Sequence, residues 1–450
     1  MKISANIFRE YDIRGLVDPE LTEDAVRAIG MSFGTYAQRH GKRILAVGRD
    51  VRLTSDRFSE VLIAALTSTG CDVVDVGVLP TPVLYFALFV LPVDGGVMIT
   101  ASHNPSEYNG FKLCIGKESI YGQEIQKVLR MIEADDFVTG KGQVRVHEGL
   151  IEEYKNHVLQ RIRLNRPIRA VLDAGNATAC LVAPDLVRSL GCEVIELFCT
   201  PDGTFPNHHP DPTVAENLKD LIATVREKKA AVGLAYDGDS DRLGVVDENG
   251  NILWGDQLLM IFARDVLTRR PGSTIIFEVK CSKTLEDDIR KKGGKPLMWK
   301  AGHSLIKGKM KETGAVLAGE MSGHLFFADE YFGYDDAIYA SVRLLRILSN
   351  TGMPLSEFLK DVPKTYSTPE IRVDCPDKIK FRVVDAVKQH YSGKVPIIDV
   401  DGVRVNFGDG WGLVRASNTQ PALVLRFEAD TEARLQEIRS EMEGVLRSKM

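Results

Sequence analysis

One arrangement of apolar and polar segments occurs three times along the chain and limits its possible folds. In each copy an apolar strand leads through a polar loop to a helix, a second strand follows, and a third strand ends in a loop of small or acidic residues. The third strands with their loops are GVMITASHNP (96–105), AVGLAYDGDSDR (231–242) and AVLAGEMSGH (315–324). Strands that alternate with helices predict α/β layers with largely parallel sheets. Because ligands of such folds bind beyond the carboxyl ends of the strands, we expect the three loops to face one another.

The pattern changes after PKTYSTPE (363–370). Short apolar segments beyond that point are typical of antiparallel strands, and TEARLQEIRSEMEGVLRS (431–448) has the pattern of an amphipathic helix. The three copies agree in pattern and not in identity, and any α/β chain yields similar units. With that alternative open, we predict three α/β domains and a smaller α+β domain, at 1–148, 149–251, 252–365 and 366–450.

The composition of the chain is informative about the class of protein and about its surroundings. A chain of 450 residues with 44% hydrophobic and 26% charged residues is typical of a soluble protein with several domains. The net charge of −5 gives no support to a nucleic-acid or membrane-surface partner. Seven cysteines without a C-x-x-C pair, and a first segment without the apolar stretch of a signal peptide, favour a cytoplasmic protein with reduced thiols. The segment VLYFALFVL (83–91) is too short to span a membrane and predicts a buried helix.

Ser102 lies in a loop at the end of a predicted strand, within VMITASHNPSEYNGFK (97–112). Pro105 disfavours helix before it, and the Asn-Gly pair at 109–110 indicates a turn. Ser102 is the one residue of this loop that could serve as a nucleophile, with His103 and Lys112 near it in sequence. A turn whose serine hydroxyl bonds its own backbone explains the segment equally well. Both interpretations stay open on this segment alone.

Three carboxylates at alternate positions, Asp237, Asp239 and Asp241, follow another predicted strand. They repel one another unless a cation is present, and their hard oxygens favour Mg²⁺ or Ca²⁺. An EF-hand is excluded because Arg242 stands where that motif needs glycine, whereas a solvated acidic turn is the alternative. The planar guanidinium of Arg242 suits a phosphoryl group beside a metal. Together with Ser102 as the carrier, this combination predicts phosphoryl transfer.

Two further loops carry hydrogen-bonding groups. Glu320 and Ser322 lie on the glycine-flanked turn GEMSGH (319–324), which is suited either to vicinal sugar hydroxyls or to a tight turn around a buried glutamate. The loop RASNTQP (415–421) favours an anion site over an ordinary turn because it combines an arginine, two hydroxyls and backbone amides. Other donors, each of which a surface salt bridge explains better when taken singly, are Arg9, Tyr11, Arg14, Lys280 and His303.

Four motifs in this order, TASHNP (100–105), DGDSDR (237–242), GEMSGH (319–324) and RASNT (415–419), resemble those of the α-D-phosphohexomutase superfamily. The NGFK sequence after the serine loop makes the phosphomannomutase/phosphoglucomutase branch the most similar. The resemblance extends from YDIRG (11–15) to RASNTQP, and four ordered motifs are specific where one would be weak. It implies three related α/β domains with mixed, largely parallel sheets around a cleft, and a fourth α+β domain like the TATA-box-binding protein.

The resemblance also implies a reaction. Ser102 is expected to be phosphorylated in the resting enzyme, with Mg²⁺ held by that phosphate and by Asp237, Asp239 and Asp241. The phosphoserine is expected to convert a hexose monophosphate into hexose 1,6-bisphosphate, which turns end for end and returns its other phosphate to the serine.

Roles for the other site residues follow from the resemblance. His103 and Lys112 are expected to provide acid–base help, and Glu320 and Ser322 to bind sugar hydroxyls. The phosphate that does not react is expected on Arg415, Ser417, Asn418 and Thr419. The remaining cleft-lining positions are Tyr11, Arg14, Arg242, Lys280, His303 and His324.

Three alternatives remain beside a mutase of mannose and glucose phosphates. Phosphoglucosamine mutases usually have glutamine where this chain has Met321 and isoleucine where it has Phe111, so both positions point away from glucosamine. A metal-dependent sugar phosphatase would use water as the acceptor. A non-catalytic sugar-phosphate-binding protein is disfavoured by the intact serine, aspartates and Arg242. The expected partner is a small-molecule hexose phosphate, and the oligomeric state is open.

Overall fold

Four sheets, each covered by helices, follow one another along the chain. The computed structural model describes residues 3–417 and 420–450, so Asn418 and Thr419 lie outside the described residues. Within those ranges no helix is both long and apolar enough to cross a membrane. All seven cysteines are free thiols. Short 3₁₀ helices occupy Ala5–Ile7, Thr178–Leu181, Ala215–Leu218 and Leu355–Glu357.

The first domain is built on a mixed seven-stranded sheet. Its strands are β1 (Ile13–Leu16), β2 (Ile44–Arg49), β3 (Asp72–Val78), β4 (Gly95–Ile99), β5 (Tyr108–Ile115), β6 (Glu118–Ser119) and β7 (Val144–Val146). Its helices are α1 (Glu23–Arg39), α2 (Ser55–Ser68), α3 (Thr81–Val90) and α4 (Gln123–Glu133). The strand order is β1-β5-β4-β2-β3-β7, with β6 beside β5. Strand β2 is parallel to β3 and β4, whereas β5 is antiparallel to β1 and β4.

The second and third domains repeat the plan on smaller sheets. The second contains α5 (Leu150–Leu159), β8 (Arg169–Asp173), α6 (Ala183–Ser189), β9 (Glu193–Leu197), α7 (Lys219–Lys228), β10 (Val232–Tyr236), β11 (Leu243–Asp247) and β12 (Ile252–Leu253). The third contains α8 (Gly255–Arg269), β13 (Thr274–Glu278), α9 (Lys283–Lys291), β14 (Lys295–Trp299), α10 (His303–Thr313), β15 (Leu317–Gly319), β16 (Leu325–Phe327) and α11 (Ala337–Thr351). Their strand orders are β12-β11-β10-β8-β9 and β14-β13-β15-β16.

The first three sheets share one topology. We number the shared strands of each sheet from β2, β8 and β13. In each sheet the first of these strands is parallel to the second and to the third. The third strand pairs with an antiparallel strand that follows it. The shared orders are β5-β4-β2-β3, β11-β10-β8-β9 and β16-β15-β13-β14. The serine, aspartate and glutamate loops all lie between the third strand and its antiparallel partner. The prediction of three related α/β units is confirmed.

The fourth domain is a six-stranded sheet with two helices. It contains β17 (Tyr366–Ser367), β18 (Ile371–Asp374), α12 (Asp377–Tyr391), β19 (Ile397–Ile398), β20 (Val403–Asn406), β21 (Gly410–Ala416), β22 (Ala422–Ala429) and α13 (Glu432–Arg447). The order is β17-β22-β21-β20-β19 with β18 beside β22, and the strand pairs are antiparallel. The predicted α+β domain is confirmed.

Capping residues account for several helix boundaries. The Thr22 hydroxyl accepts a hydrogen bond from Ala25 N at 3.2 Å at the start of α1, and Asp336 accepts from Tyr339 N at the start of α11. Helix α11 ends at Thr351 and is followed by Gly352, whose φ of +70° suits glycine.

The first three domains share a continuous hydrophobic core, whereas the fourth has its own. The charge-free helix α3 is buried along most of its length, as predicted for that segment. Its Phe86 ring lies 5.7 Å from that of Tyr154 on α5, and its Phe89 ring lies 4.6 Å from that of Phe332 in the third domain. Aromatic packing on α3 therefore connects the first domain with the second and with the third.

The fourth domain contacts the third through apolar packing and through hydrogen bonds. Trp411 and Leu413 pack on Val279. The Arg404 guanidinium lies 3.6 Å from the centroid of the Trp411 ring and donates to the carbonyl oxygens of Val279 and Cys281 at 2.6 and 2.8 Å. The fourth domain is thus a separate packing unit beside the three-domain core.

Candidate active site

The Ser102 hydroxyl faces the acidic loop of the second domain and not its own backbone. Ser102 is 3% exposed and has a left-handed backbone with φ of +51°. Its Oγ donates to Asp237 Oδ2 at 2.9 Å and lies 3.1 Å from His103 Nδ1. Burial, together with the charges of Arg242 and Arg14, lowers the pKa of His103 well below its usual value. The neutral ring can therefore accept the serine proton when the hydroxyl turns from Asp237 toward Nδ1.

The three aspartates form a buried cluster at the turn between β10 and β11. Single carboxylate oxygens of Asp237, Asp239 and Asp241 lie within 4.8 Å of one another. Asp237 Oδ1 accepts hydrogen bonds from the backbone N–H groups of Asp241 and Arg242, each at 3.0 Å. Asp239 Oδ1 and Asp241 Oδ1 are buried without a hydrogen-bond partner in the part of the chain that the structure describes. Buried oxygens of this kind fit cation ligands, since polar atoms in protein interiors are otherwise paired.

Lys112 neutralises part of this cluster. Its Nζ lies 2.6 Å from Asp239 Oδ2 and 2.5 Å from Asp241 Oδ2. Burial alone would lower the pKa of Lys112, but Asp239 and Asp241 outweigh it and raise that pKa well above its usual value. Burial and the neighbouring carboxylates raise the pKa of Asp237. Three carboxylates facing the cations Lys112 and Arg242 leave an excess of negative charge, which favours a bound cation.

A second group of charges surrounds His324. Arg242 Nε donates to His324 Nε2 at 3.0 Å, which places the proton of a neutral His324 on Nδ1. That Nδ1 lies 3.2 Å from Asp335 Oδ2. Asp335 is fully buried and also contacts Lys307 at 3.0 Å and His303 Nδ1 at 3.4 Å. Burial would raise the pKa of Asp335, but Lys307 and His303 hold it well below its usual value.

Glu320 and Tyr11 both lie beside the turn at Ala301 and Gly302 in the third domain. Glu320 Oε1 accepts a hydrogen bond from Gly302 N at 2.6 Å. A Cβ at Gly302 would lie 2.5 Å from a ring carbon of Tyr11, and the φ of +128° at Gly302 also requires glycine. The Tyr11 hydroxyl donates to Ala301 O at 2.8 Å. Ser322 is partly exposed on the same loop as Glu320.

The fourth domain contributes Arg415 and the loop that follows β21. Arg415 is 7% exposed, and its Nε and Nη2 each lie 3.0 Å from Asp401 Oδ2. Ser417 Oγ accepts from Gln420 N at 3.1 Å, and Lys380 Nζ donates to the backbone oxygens of Ser417 and Gln420 at 2.6 and 3.1 Å. Burial would lower the pKa of Arg415, but Asp401 and the more distant Tyr11 outweigh it and raise that pKa.

The other predicted residues occupy different positions around this site. Arg14 Nη1 donates to Asn104 Oδ1 of the serine loop at 2.8 Å. Lys280 Nζ lies 3.2 Å from Glu370 at the entrance to the fourth domain. Arg9 lines a separate cavity of about 280 Å³ between the first and fourth domains.

Sequence reasoning missed Asp335, Lys380 and Thr81. The Thr81 hydroxyl, at the start of α3, donates to Asp239 Oδ2 at 2.6 Å. A polar residue at a helix start is the one sequence signal that could have found Thr81, but it indicates only a cap. Asp335 precedes the capping Asp336, and Lys380 lies on the exposed-looking start of α12, so neither stands out by pattern.

These parts define a phosphoryl-transfer enzyme: a buried serine hydroxyl, an acidic cluster able to hold a metal ion, and flanking cations around a cleft between α/β domains. Family models described as phosphoglucomutase/phosphomannomutase match nearly the whole chain. Alpha/beta/alpha domains I, II and III and the C-terminal domain match residues 5–139, 151–250, 254–366 and 370–445, respectively.

Individual relatives agree with the family models. A phosphomannomutase/phosphoglucomutase of Pseudomonas putida is 49% identical over 96% of this chain and 94% of its own length. A phosphoglucomutase of Neisseria meningitidis is 48% identical over 99% of this chain and 98% of its own length. The crystal structure of a phosphoglucomutase/phosphomannomutase family protein from Burkholderia thailandensis superimposes with a TM-score of 0.95 at 43% identity, covering 100% of this chain and 98% of that one.

The chain belongs to the phosphoglucomutase/phosphomannomutase family. It is a phosphohexomutase, an isomerase that moves a phosphoryl group within a hexose phosphate.

Proposed function

We propose that this chain interconverts the 1- and 6-phosphates of mannose, glucose or both through a phosphoserine at Ser102. The phosphoserine gives its phosphoryl group to a hexose monophosphate. The resulting hexose 1,6-bisphosphate turns end for end and returns its other phosphate to the serine. The observation that carries the proposal is the buried Ser102 hydroxyl, 2.9 Å from Asp237 Oδ2, beside a cluster of carboxylates and cations.

Mg²⁺ is the cation that we propose for the acidic cluster. Asp237, Asp239, Asp241 and the phosphate on Ser102 would hold it, because these are hard oxygen ligands. The buried Oδ1 atoms of Asp239 and Asp241, which accept no hydrogen bond from the described residues, support this assignment. When bound, the ion supplies neutralisation of charge on the phosphoryl group.

Three side chains of this chain act at the phosphoryl group in our proposal. His103 Nδ1, 3.1 Å from Ser102 Oγ, is within reach of the proton that leaves or returns there. Lys112 holds Asp239 and Asp241 in place and adds positive charge under the phosphate. Arg242 offers a planar set of donors directly after the aspartates.

Sugar recognition falls to the third domain. We propose that Glu320 and Ser322 bind sugar hydroxyls in both orientations of the substrate, with Tyr11, His303 and His324 lining the cleft. The hydrogen bond from Gly302 to Glu320 supports this role because it fixes one carboxylate oxygen and leaves the other for the sugar. Relatives named phosphomannomutase/phosphoglucomutase support mannose and glucose as the sugars, whereas a probable phosphoglucosamine mutase of Methanopyrus kandleri is 35% identical.

The loop of the fourth domain is our proposed site for the phosphate that does not react. Arg415, Ser417, Asn418 and Thr419 would bind it, with Lys280 and Arg14 adding positive charge. Burial of Arg415 against Asp401 supports this role, because the pairing aligns the guanidinium before a phosphate arrives.

We also propose a cytoplasmic location, hexose phosphates as the partners, no nucleic-acid partner, and domain boundaries at 1–148, 149–251, 252–365 and 366–450. The family matches begin and end near these boundaries.

A ³¹P NMR time course tests the reaction. The protein receives Mg²⁺, mannose 1-phosphate and a trace of hexose 1,6-bisphosphate. We expect conversion to the 6-phosphate; release of free phosphate would indicate a phosphatase, and no change would indicate a binding protein.

Intact-protein mass spectrometry tests the carrier. We expect a species heavier by one phosphoryl group, and its absence together with lost turnover in Ser102→Ala. Ser106→Ala, in the same loop, is the matched control and should keep both. A phosphate mapped to any other residue overturns the assignment.

A further inference from the structure

Arg52 uses every donor of its guanidinium inside the protein. Its side chain is 0% exposed, and the residue lies three positions after the end of β2. Nη2 donates to the carbonyl oxygens of Ser102 and Asn104 at 2.8 and 2.6 Å. Nη1 donates to those of Pro105 and Tyr108 at 2.6 and 3.0 Å. With Nε on Asp50 at 3.1 Å, all five N–H groups are engaged.

We propose that Arg52 is the positioning residue of the nucleophile loop, by which we mean residues 100–107 between β4 and β5. Arg52 fixes the Ser102 backbone so that Oγ faces the acidic cluster. This inference rests on the proposed role of Ser102 as carrier. Because its donors are all committed to backbone oxygens and Asp50, Arg52 acts through the loop and does not bind substrate.

The conformation of Ser102 explains why such a residue is needed. Its φ of +51° is unusual for a residue with a side chain, and such a conformation persists only where surrounding contacts impose it. The loop and Tyr108, the first residue of β5, also turn four carbonyl groups toward the interior, where each must be paired. One guanidinium meets both requirements at once.

Asp50 fixes Arg52 in turn. Asp50 Oδ1 accepts from the Arg52 backbone N at 3.0 Å and from Ser55 Oγ at 2.6 Å. Asn109, on the strand that follows the loop, donates to Ser55 Oγ at 3.1 Å. Arg52 is therefore anchored to the sheet and to both ends of the nucleophile loop.

Residues of the second domain pack closely against Ser102 O and Arg52. A Cβ at Gly238 would lie 2.2 Å from Ser102 O, the oxygen that Arg52 Nη2 holds. The Phe205 ring centroid lies 5.1 Å from the Arg52 guanidinium. The position of Ser102 O thus sets the distance between the serine and the acidic loop, so a small displacement there changes the alignment of the transfer.

Lysine cannot replace this arginine. A lysine ammonium is a single centre with three donors, whereas Arg52 spans four carbonyl groups with a planar fork. Arg52→Lys keeps the charge and most of the volume and removes the geometry. It is therefore a sharper test than truncation.

The test is steady-state kinetics on the full chain with Mg²⁺ and hexose 1,6-bisphosphate. We expect Arg52→Lys to lower kcat by about a hundredfold, as for a displacement of about 1 Å at a reacting atom, while KM stays within about threefold. We expect guanidinium ion to restore part of the kcat of Arg52→Ala, and methylammonium to restore none. A residue that only stabilised the fold would lower the melting temperature without this separation of kcat from KM.

Arg49→Lys is the matched control. Arg49 lies three positions earlier, at the end of β2, and its partners Asp56 and Asp75 are not in the loop. We expect its kcat and KM to match those of the wild type.

Three results would overturn the inference: a kcat of Arg52→Lys within twofold of the wild type, a KM that rises while kcat is unchanged, or an Arg49→Lys defect equal to that of Arg52→Lys. If Arg52→Ala does not fold, the lysine variant decides alone. Turnover by Ser102→Ala would refute the proposed carrier instead, whereas an inactive Ser102→Ala beside a normal Arg52→Lys refutes only the positioning role.

Discussion

Asp239 is the residue where two elements of the first domain meet the acidic cluster. Its Oδ2 receives Thr81 from α3 and Lys112 from β5, both at 2.6 Å, while its Oδ1 accepts no hydrogen bond among the described residues. Asp239→Asn keeps the shape of the side chain but removes its charge. The substitution removes the charge from the contacts with Thr81 and Lys112, and a charge-assisted contact is worth about 1.5–3 kcal/mol. We therefore expect turnover to fall at least about a hundredfold. Turnover and a Mg²⁺ titration measure the effect, and circular dichroism checks the fold.

Asp220→Asn, exposed on α7, is the control for Asp239→Asn and should behave as the wild type. A normal rate for Asp239→Asn, or full activity of the wild type in a chelator, would contradict the metal assignment.

Arg415 is expected to bind a phosphate regardless of the carbon that carries it. If the bisphosphate turns between two transfers at one serine, a single remote pocket holds the 6-phosphate in one half-reaction and the 1-phosphate in the other. Loss of a contact made equally in ground and transition states raises KM more than it lowers kcat. We therefore expect Arg415→Ala to raise KM for both isomers by similar factors, roughly tenfold to a hundredfold.

Arg434→Ala is the control for Arg415→Ala. Arg434 pairs with Asp409 and Glu437 at the protein surface and should leave both KM values unchanged. A large effect of Arg415→Ala on one isomer alone would require two separate phosphate pockets.

At the residue scale, the residues proposed to contact the ligand were predicted better from the sequence than the residues that position them. Ser102 and the three aspartates stand out because they lie in motifs whose order along the chain resembles that of a known superfamily. Arg52 does not, because its partners are backbone carbonyls, and any residue supplies those. Asp335 is equally hidden, since its partners His324 and Lys307 lie on other elements.

At the element scale, helix α11 begins at a carboxylate with an unusual environment. Asp336 accepts from Tyr339 N at 2.8 Å and from the hydroxyls of Tyr154 and Tyr331 at 2.9 and 3.0 Å. Burial outweighs these hydrogen bonds and raises the pKa of Asp336 to about 7. The folded protein therefore keeps a proton that the unfolded chain releases above its ordinary pKa near 3.8.

The sign of the pH dependence follows from that difference. The stabilising contribution of the Asp336 proton is full below pH about 4 and is lost as pH rises through about 7. Three pKa units correspond to about 4 kcal/mol at most. We expect the melting temperature of the wild type to fall more between pH 5.5 and 8.5 than that of Asp336→Asn. Equal pH dependence of the two proteins would contradict this expectation.

The pattern of apolar segments predicted three strands in each copy and omitted the fourth. Strands β5, β11 and β16 pair antiparallel with the third strand, directly after the functional loop. In β5 the buried Lys112 interrupts the apolar pattern, because it extends to the aspartates of the next domain. Helix α3 was easier to predict, since a charge-free segment of that length is stable only inside a core.

At the scale of the whole molecule, one core connects the first three domains, and the fourth domain has a core of its own. The fourth domain contacts the third through Trp411 packed on Val279 and through the hydrogen bonds of Arg404. Further polar contacts join the two domains, among them Lys280 with Glu370 and Lys283 N with Glu428 Oε1. We expect a chain that ends at residue 365 to remain folded with cooperative melting. Its turnover should fall at least about a hundredfold, because the proposed phosphate clamp is absent.

The full chain with Phe381→Ala, a change of an exposed side chain on α12, is the control for that truncation. Wild-type turnover of the shortened chain would remove the fourth domain from the reaction, and its failure to fold would show that the cores depend on each other.

The shared topology of the first three sheets has a consequence for descent. If a unit with this topology is duplicated, the turn after its third strand lies at the same corner of the sheet in every copy. Once the copies pack on one another, their corners can surround one cavity without any new strand or crossing. An ancestral repeat could then divide labour by substitutions within short turns, so that one copy carries the phosphoryl group, one gathers negative charge and one recognises the substrate. Three repeated sheets thus supply three different loops to a single site.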